Sequence, residues 1–555
     1  MRPYPRYHRR PFMPARLLVM LALLAALTST LGASATTRQS AAGPVYGGAL
    51  SVAYAGGFTS FDPAQAVGYD WVALNGTLYN GLYQFDRHGQ PRLDLAAAPP
   101  AISADHKTWT FTLRKGVRFS NGMEVTANDV AFSITRVLDP KLKPAVSWGQ
   151  SYDEIFQGSV EFATGKAKSV SGIQVLDPYT IRLVLLRPTA NLPDILASSY
   201  NFVVPKAVVT GESADYFGSH PVGTGPFMLQ SYQKGVQAVF VKNPHYFHPG
   251  KPYLDKVIAV LTVNPGVIAL RIEKGQLDGF GWYSDPTPAD IQHARADPKL
   301  ASYLVPAASS AASWLDLNVH EPPMDNLKLR QAIAMAINRT RIVQVRGGLA
   351  IPAYQLFVPL MPQYDRSLDQ HPIYPYDPQR AAALVKASGY HNQPLTLFFD
   401  NSVPVDVNTM QAVQQDLQQV GLNVVLRGVS TVAFDPVEIK LRGHHMDLSG
   451  WSYDYPDAYD TYGGKLSCAV NGAGGLSGAH YCDPTADALV AKAQALPLGA
   501  GRNALFRQAQ ARILRAATEV PLFYYATSIL VSPRVGGFYF HPIFAWQFEN
   551  YWIKH

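Results

Sequence analysis

A chain of 555 residues with 47% hydrophobic, 11% aromatic and 16% charged side chains can bury a large core, which excludes disorder as its main state. Its 43 glycines and 42 prolines follow no repeat, so collagen-like and low-complexity architectures are excluded and many turns are implied. The net charge of +7 is not a nucleic-acid signature: residues 1–35 hold Arg2, Arg6, Arg9, Arg10 and Arg16 and no acid, and the remainder carries only +2.

That basic start, the apolar run Leu17 to Leu27 and the small-residue site Ala33-Ser34-Ala35 read as a secretory signal over residues 1–35, cleaved near Thr36. A membrane anchor is the competing reading, but eleven strongly apolar residues are too few for a hydrocarbon core of ~30 Å. Arg9-Arg10-Pro11-Phe12-Met13 resembles a twin-arginine export motif, from which Pro11 and the missing lysine depart. No cysteine follows the apolar run, so a lipid-anchored N-terminus is excluded and a soluble extracytoplasmic protein is expected.

Residues 36–46 are small and polar, a flexible lead-in, and order is expected from Gly47. Ala49 to Tyr54 reads as a strand. In Thr108 to Leu113, Trp109, Phe111 and Leu113 share one face, as a half-buried strand requires. Thr126 with Asp129 resembles a capping box, and Val130, Ile134 and Val137 form the stripe of the helix behind it. Ile173 to Val175 and Ile181 to Leu185 flank the hairpin turn Asp177-Pro178. Asp377-Pro378 starts a helix that Gly389 ends. The strand Leu395 to Phe399, the helical spacing of Met410, Val413, Leu417 and Val420, the stop Gly421 and the strand Leu422 to Leu426 make a βαβ unit with parallel pairing. The expected class is α/β with an elaborated N-terminal portion.

The search for chemistry returns no GxSxG elbow, no HExxH and no Walker loop. Val222-Gly223-Thr224-Gly225-Pro226-Phe227 looks like a phosphate loop, but Pro226 removes a donor the cradle needs, and a tight chain crossing is expected instead. His444 and His445 are adjacent, so their rings diverge and chelation through both is disfavoured. Cys468 and Cys482 are the only cysteines; an oxidising compartment favours a disulfide, and a metal site with His480 is the alternative, without CxxC spacing. Gly450-Trp451-Ser452-Tyr453-Asp454-Tyr455-Pro456-Asp457 sets one carboxylate among three large aromatics. Such a place can hold a ligand ammonium, since the aromatic walls exclude water and their faces attract a cation. A core strand ending in a solvated turn, and an acid/base pair of Asp454 and Asp457, are the other readings.

Across Gly47 to His555 the motifs fall in one register: Ser60-Phe61-Asp62-Pro63, Leu78-Tyr79-Asn80-Gly81-Leu82, Trp109 to Arg114, Phe119-Ser120-Asn121-Gly122, Thr126 to Val130, Pro221 to Phe227 and Lys242 to Phe247. Arg330-Gln331-Ala332-Ile333, Tyr376-Asp377-Pro378 and Met446-Asp447-Leu448 before Gly450-Trp451 continue the series. In these the chain resembles the family 5 extracytoplasmic solute-binding proteins of ABC importers, which include oligopeptide, dipeptide and nickel binders. The resemblance implies a two-lobed periplasmic-binding-protein fold joined by crossover strands. Lobe I would span residues 47–307 with an extra subdomain at about 85–215, lobe II 308–524, and residues 525–555 would return to lobe I. It implies a disulfide at Cys468 and Cys482, and a peptide ammonium anchored by Asp454, three residues after Trp451. The residues after Asp62 offer no second acid, and the spacing after Asp454 is not the common dipeptide-binder one, so peptide length stays open.

Together these readings give a monomeric, non-catalytic binder without metal, cofactor or nucleic acid, delivering a peptide or related amine-bearing solute to an ABC permease. Trp314, Tyr453 and Tyr455 are candidate pocket walls and Arg442 a candidate partner for a ligand carboxylate. A nickel or metallophore binder, a chemosensory or chaperone-like binder without a permease, and a secreted hydrolase using Asp454 and Asp457 are the rivals. Mass spectrometry of the exported protein is expected to find an N-terminus near Thr36 in the soluble extracytoplasmic fraction. Recovery of intact residues 1–35 only in detergent would show that Leu17 to Leu27 is an anchor.

Overall fold

Ala49–Tyr54 forms β1, the strand its apolar run predicts, with Leu50 and Val52 fully buried. The computed structural model describes residues 43–555 apart from 55–56, 66–75, 143–154, 262–263, 282–285, 431–439, 441, 472–476 and 555. The signal segment and most of the lead-in therefore lie outside the described residues. Among the described residues no helix is long and apolar enough to cross a membrane.

A short hairpin, β2 (Tyr83–Phe85) and β3 (Pro91–Leu93), follows. Next, β4 (Ala101–Ile102), β5 (Thr108–Thr112), β6 (Ile173–Asp177) and β7 (Thr180–Val184) form an antiparallel sheet in the order β4-β5-β7-β6. The alternation in β5 buries Trp109 and Phe111, and Asp177-Pro178 starts the β6–β7 turn. The helix Ala127–Val137 lies alongside, its start fixed by the Asp129 carboxylate accepting the Thr126 N–H at 2.9 Å.

The chain then returns to β1 through β8 (Phe227–Gln233), β9 (Gln237–Lys242), β10 (Lys256–Leu261) and β11 (Gly279–Phe280), completing a five-stranded sheet in the order β11-β1-β10-β9-β8. Entry into β8 is the expected tight crossing. A Cβ on Gly223 would fall 2.0 Å from the Leu78 carbonyl oxygen, and one on Gly225 2.4 Å from the Leu78 carbonyl carbon. Only glycine allows the two backbones this approach.

The second body is a six-stranded sheet of β12 (Leu304–Leu317), β13 (Ala350–Pro352), β14 (Leu395–Asp400), β15 (Val424–Val429), β16 (Met446–Ser452) and β17 (Glu519–Leu530), in the order β13-β17-β12-β16-β14-β15. β14, the helix Pro404–Gln419 and β15 make the predicted βαβ unit with parallel pairing. β15 begins at Val424, two residues after the predicted start, because Leu422 is spent closing the helix. Its N–H donates to the Leu417 carbonyl at 3.1 Å past Gly421, whose φ is 92°.

β12 and β17 join the bodies through one antiparallel ladder running from Leu304 opposite Leu530 to Asp316 opposite Glu519. At one end Ala307 and Ile529 pack in the first body's core; at the other Leu315, Leu317, Val520 and Leu522 pack in the second's. The chain ends on the first body, where β18 (Val535–Gly536) and β19 (Trp552–Ile553) pair and Val535, Trp546, Tyr551 and Ile553 enter its core.

Cys468 and Cys482 are joined across a sequence separation of 14. In the loop-closure model such a bridge contributes about 3 kcal/mol by restricting the unfolded chain. Replacing both cysteines by alanine is therefore expected to lower the unfolding free energy by about 3 kcal/mol, read from the urea midpoint. Unfolding curves that superimpose would contradict this.

Candidate functional site

β16 carries the Trp451 segment and lies between β12 and β14, with Trp451 opposite Ala312 and Ser449 opposite Trp314. Gly450 is required by that pairing, since a Cβ there would sit 2.5 Å from the Ala312 carbonyl oxygen. Trp451 packs on Gly464, where a Cβ would come within 2.6 Å of the indole. A side chain at Gly464 would push the indole away from the strand end.

Three carboxylates, Asp454, Asp457 and Asp460, follow within seven residues and all are buried. Asp460 holds the turn: one oxygen accepts the Trp451 indole N–H at 2.5 Å and the other the Asp454 backbone N–H at 3.3 Å. Asp454 itself is only 5% exposed. Asp457 is committed to structure. The Arg502 guanidinium donates to both its oxygens at 2.5 and 2.7 Å, Gln363 Nε2 donates at 2.8 Å, and the carboxylate caps Ala458–Thr461 through the Tyr459 N–H at 3.1 Å. A carboxylate so engaged is not a free acid or base, which removes the geometric ground for pairing it with Asp454 in catalysis.

The aromatic residues divide between the two bodies. Trp451 and Tyr453 belong to one cluster of the second body, where the Tyr453 hydroxyl donates to the Leu356 carbonyl. Tyr455, fully buried, is part of the first body's core. Burial and the neighbouring Asp460, Asp457, Tyr459 and Asp194 push its phenol well above the usual range. Trp314 shares the cluster of Trp451 and Tyr453 but is wholly enclosed, its indole N–H donating to Asp316 at 2.7 Å, so it supports the aromatic group from within. Arg442 is exposed, and among the described residues it has no ion-pair partner.

The acid of the Ser60-Phe61-Asp62-Pro63 motif is structural as well, held by Arg136 through two bonds of 2.8 and 2.6 Å. The histidine pair diverges as its spacing requires: buried His444 lies 3.3 Å from Asp447, and His445 Nδ1 accepts the Thr396 N–H at 3.1 Å. Among the described residues no group of three or more His, Cys, Asp or Glu is placed to hold a metal ion. Asp460, Arg502 and Asp194 are the residues the sequence reading passed over. Asp460 stands six positions after Asp454 in the same acid-rich run, whereas Arg502 and Asp194 approach from distant segments and leave no local mark.

Solved structures share this arrangement of two joined α/β bodies. The ABC transporter-associated periplasmic binding protein DppA from Helicobacter pylori, solved in complex with the peptide STSA, superimposes with a TM-score of 0.79 at 26% identity, covering 92% of this chain and 99% of its own. The fold is that of the two-lobed periplasmic binding proteins, and the two bodies are its lobes. Two curated proteins of Pseudomonas aeruginosa are similar in sequence: di/tripeptide-binding protein 2, 28% identical over 515 residues (88% of this chain, 92% of the relative), and di/tripeptide-binding protein 1, 30% identical over 496 residues (85% and 88%). The profile of the bacterial extracellular solute-binding proteins, family 5 (middle region), matches residues 90–473, and the chain belongs to this family.

The Asp457–Arg502 pair gives a stability test. Arg502→Met strands a buried carboxylate and is expected to cost about 3–5 kcal/mol of unfolding free energy. Adding Asp457→Leu removes the stranded charge and is expected to recover part of that loss. Urea midpoints of the wild type and both variants check it, and an unchanged midpoint for Arg502→Met would mean that the pair is not buried in solution.

Proposed function

We propose that the protein is the non-catalytic, soluble, extracytoplasmic binding component of an ABC importer, exported with a cleaved signal, monomeric, and handing its solute to a membrane permease. The solute is a peptide or a related amine-bearing molecule held between the lobes. Lobe I takes residues 47–307 with an extra subdomain at about 85–215, lobe II 308–524, and residues 525–555 return to lobe I. What the named relatives bind supports the choice of peptide.

The observation that carries the reading is Asp454, a buried carboxylate two residues past the end of β16, next in sequence to Tyr453 of the second body's aromatic cluster and Tyr455 of the first body's core. In a water-poor, aromatic-walled place an ammonium meets a carboxylate through short charge-assisted bonds that water competes with poorly. Trp451, Tyr453 and Tyr455 wall this anchor and Trp314 backs it, while Arg442 is assigned no contact. Peptide backbone groups would pair with lobe backbones and leave side chains to solvent-filled pockets, which admits several sequences.

Asp454→Asn keeps the shape and one accepting oxygen but removes the charge. It is expected to weaken peptide binding by roughly 2–5 kcal/mol, or about 30-fold to several thousand-fold. Calorimetry with a peptide and its N-acetylated form provides the control: acetylation should cripple binding to the wild type and cost the Asn variant far less. Equal treatment of the two ligands by both proteins would remove the ammonium anchor and the peptide assignment with it.

A further inference from the structure

The helix Leu192–Ala197 of lobe I starts at Asn191 and carries Asp194 three residues in, the two positions at which a capping box would form. The box is not used. Asn191 makes no capping bond, and among the described residues both atoms of its buried amide lack a hydrogen-bond partner. Asp194 is buried and, among the described residues, has no ion pair and no bond from another side chain. Asp194, suited to close its own helix end, instead lies within reach of charges on the other lobe.

Several contacts fix that boundary. Arg187, just before the helix, donates to the Tyr459 hydroxyl of lobe II at 2.8 Å. Tyr455 is packed into the lobe I core, and Pro456 lies 3.8 Å from the position a Cβ on Gly89 would take. The charges that act on Asp194 from across the boundary are those of Asp457 and Arg502, and the Tyr455 phenol feels Asp194 together with Asp460, Asp457 and Tyr459. Arg502 does not serve as a free counterion, because it is already bonded to both Asp457 oxygens and to Gln494 at 2.8 Å. An ionised Asp194 would thus be repelled by Asp457 and drawn by the Arg502 charge only at a distance, and burial outweighs that attraction.

We propose that Asp194 is a proton-dependent latch of lobe closure: the lobes engage fully only when its carboxyl is protonated, so that closure takes up one proton. This rests on the two-lobed binding-protein reading. Burial, and after it the Asp457 charge, raise the Asp194 pKa from an ordinary 3.8 to about 8 in the engaged state. With the lobes apart the carboxyl meets water and regains its ordinary value. Below both values it is protonated in either state and has no effect. Between them closure must bind a proton, so the closed-to-open ratio falls as pH rises, by up to about tenfold per pH unit. Above about 8 the carboxyl is ionised in both states, the dependence levels off, and closure is least favoured.

Two measurements on the exported protein test this, each with Asp194→Asn, which copies the neutral acid. Small-angle scattering without added solute, from about pH 5.5 to 8.5, is expected to show the wild type expanding as pH rises and the variant unchanged. Calorimetry of a peptide at about pH 6.5, in phosphate and in Tris, is expected to show uptake of close to one proton by the wild type and almost none by the variant. A flat wild-type scattering profile, an equal pH slope in the two proteins, or equal proton uptake would overturn the latch. If no peptide binds but the scattering slope is present and confined to the wild type, the peptide assignment falls and the latch stands.

Discussion

The structure depends on one antiparallel ladder. β12 and β17 run side by side from the core of lobe I into the core of lobe II, and every other strand of lobe II is added to one edge or the other of this pair. Two continuous strands resist shear far better than a single linker, because sliding one past the other would break the whole ladder, but they can twist. β16 is hydrogen-bonded directly to β12, so the Trp451–Asp460 segment sits close to that ladder.

The acid-rich turn at the end of β16 shows how burial sorts side chains of one type into different tasks. Asp457 is neutralised by a bidentate guanidinium and becomes part of the scaffold; Asp460 spends its oxygens on the Trp451 indole and on a backbone N–H. Those bonds hold the backbone at Asp454 in place. The second carboxylate that an acid/base pair with Asp454 would use is held at both oxygens by Arg502.

What could be read in advance follows from how local each interaction is. β1, the alternating β5, the Asp377 cap and the βαβ unit from Leu395 to Val429 rest on neighbours in sequence, and their strands begin within two residues of where the pattern puts them. The cysteine bridge was legible because a chain read as exported has only these two cysteines, and the crossing at Gly223 because Pro226 removes a donor that a phosphate cradle needs. Trp314 was not: in a central strand with both faces covered, Ser313, Trp314 and Leu315 are all buried, and the run carries no alternation to show which face a ring takes. Arg502 and Asp194 reach the site from segments 45 and more than 250 residues from Asp457, and no pattern within a window of sequence records such pairs.

A binding protein has to release what it captures, and the boundary between these lobes is built for that. Tyr455 buried in the lobe I core favours engagement whether or not solute is present, since apolar burial does not discriminate. Were the rest of the boundary also apolar, the closed state would fill without ligand, and a ligand can move the population only by its differential affinity for the two states. The boundary instead includes an exposed Arg187–Tyr459 bond, worth little in water, and a carboxyl that resists burial in its charged form. One aromatic residue drawing the lobes together is thus opposed by one acid holding them apart, and under the proposed function an ammonium held at Asp454 would decide between the states.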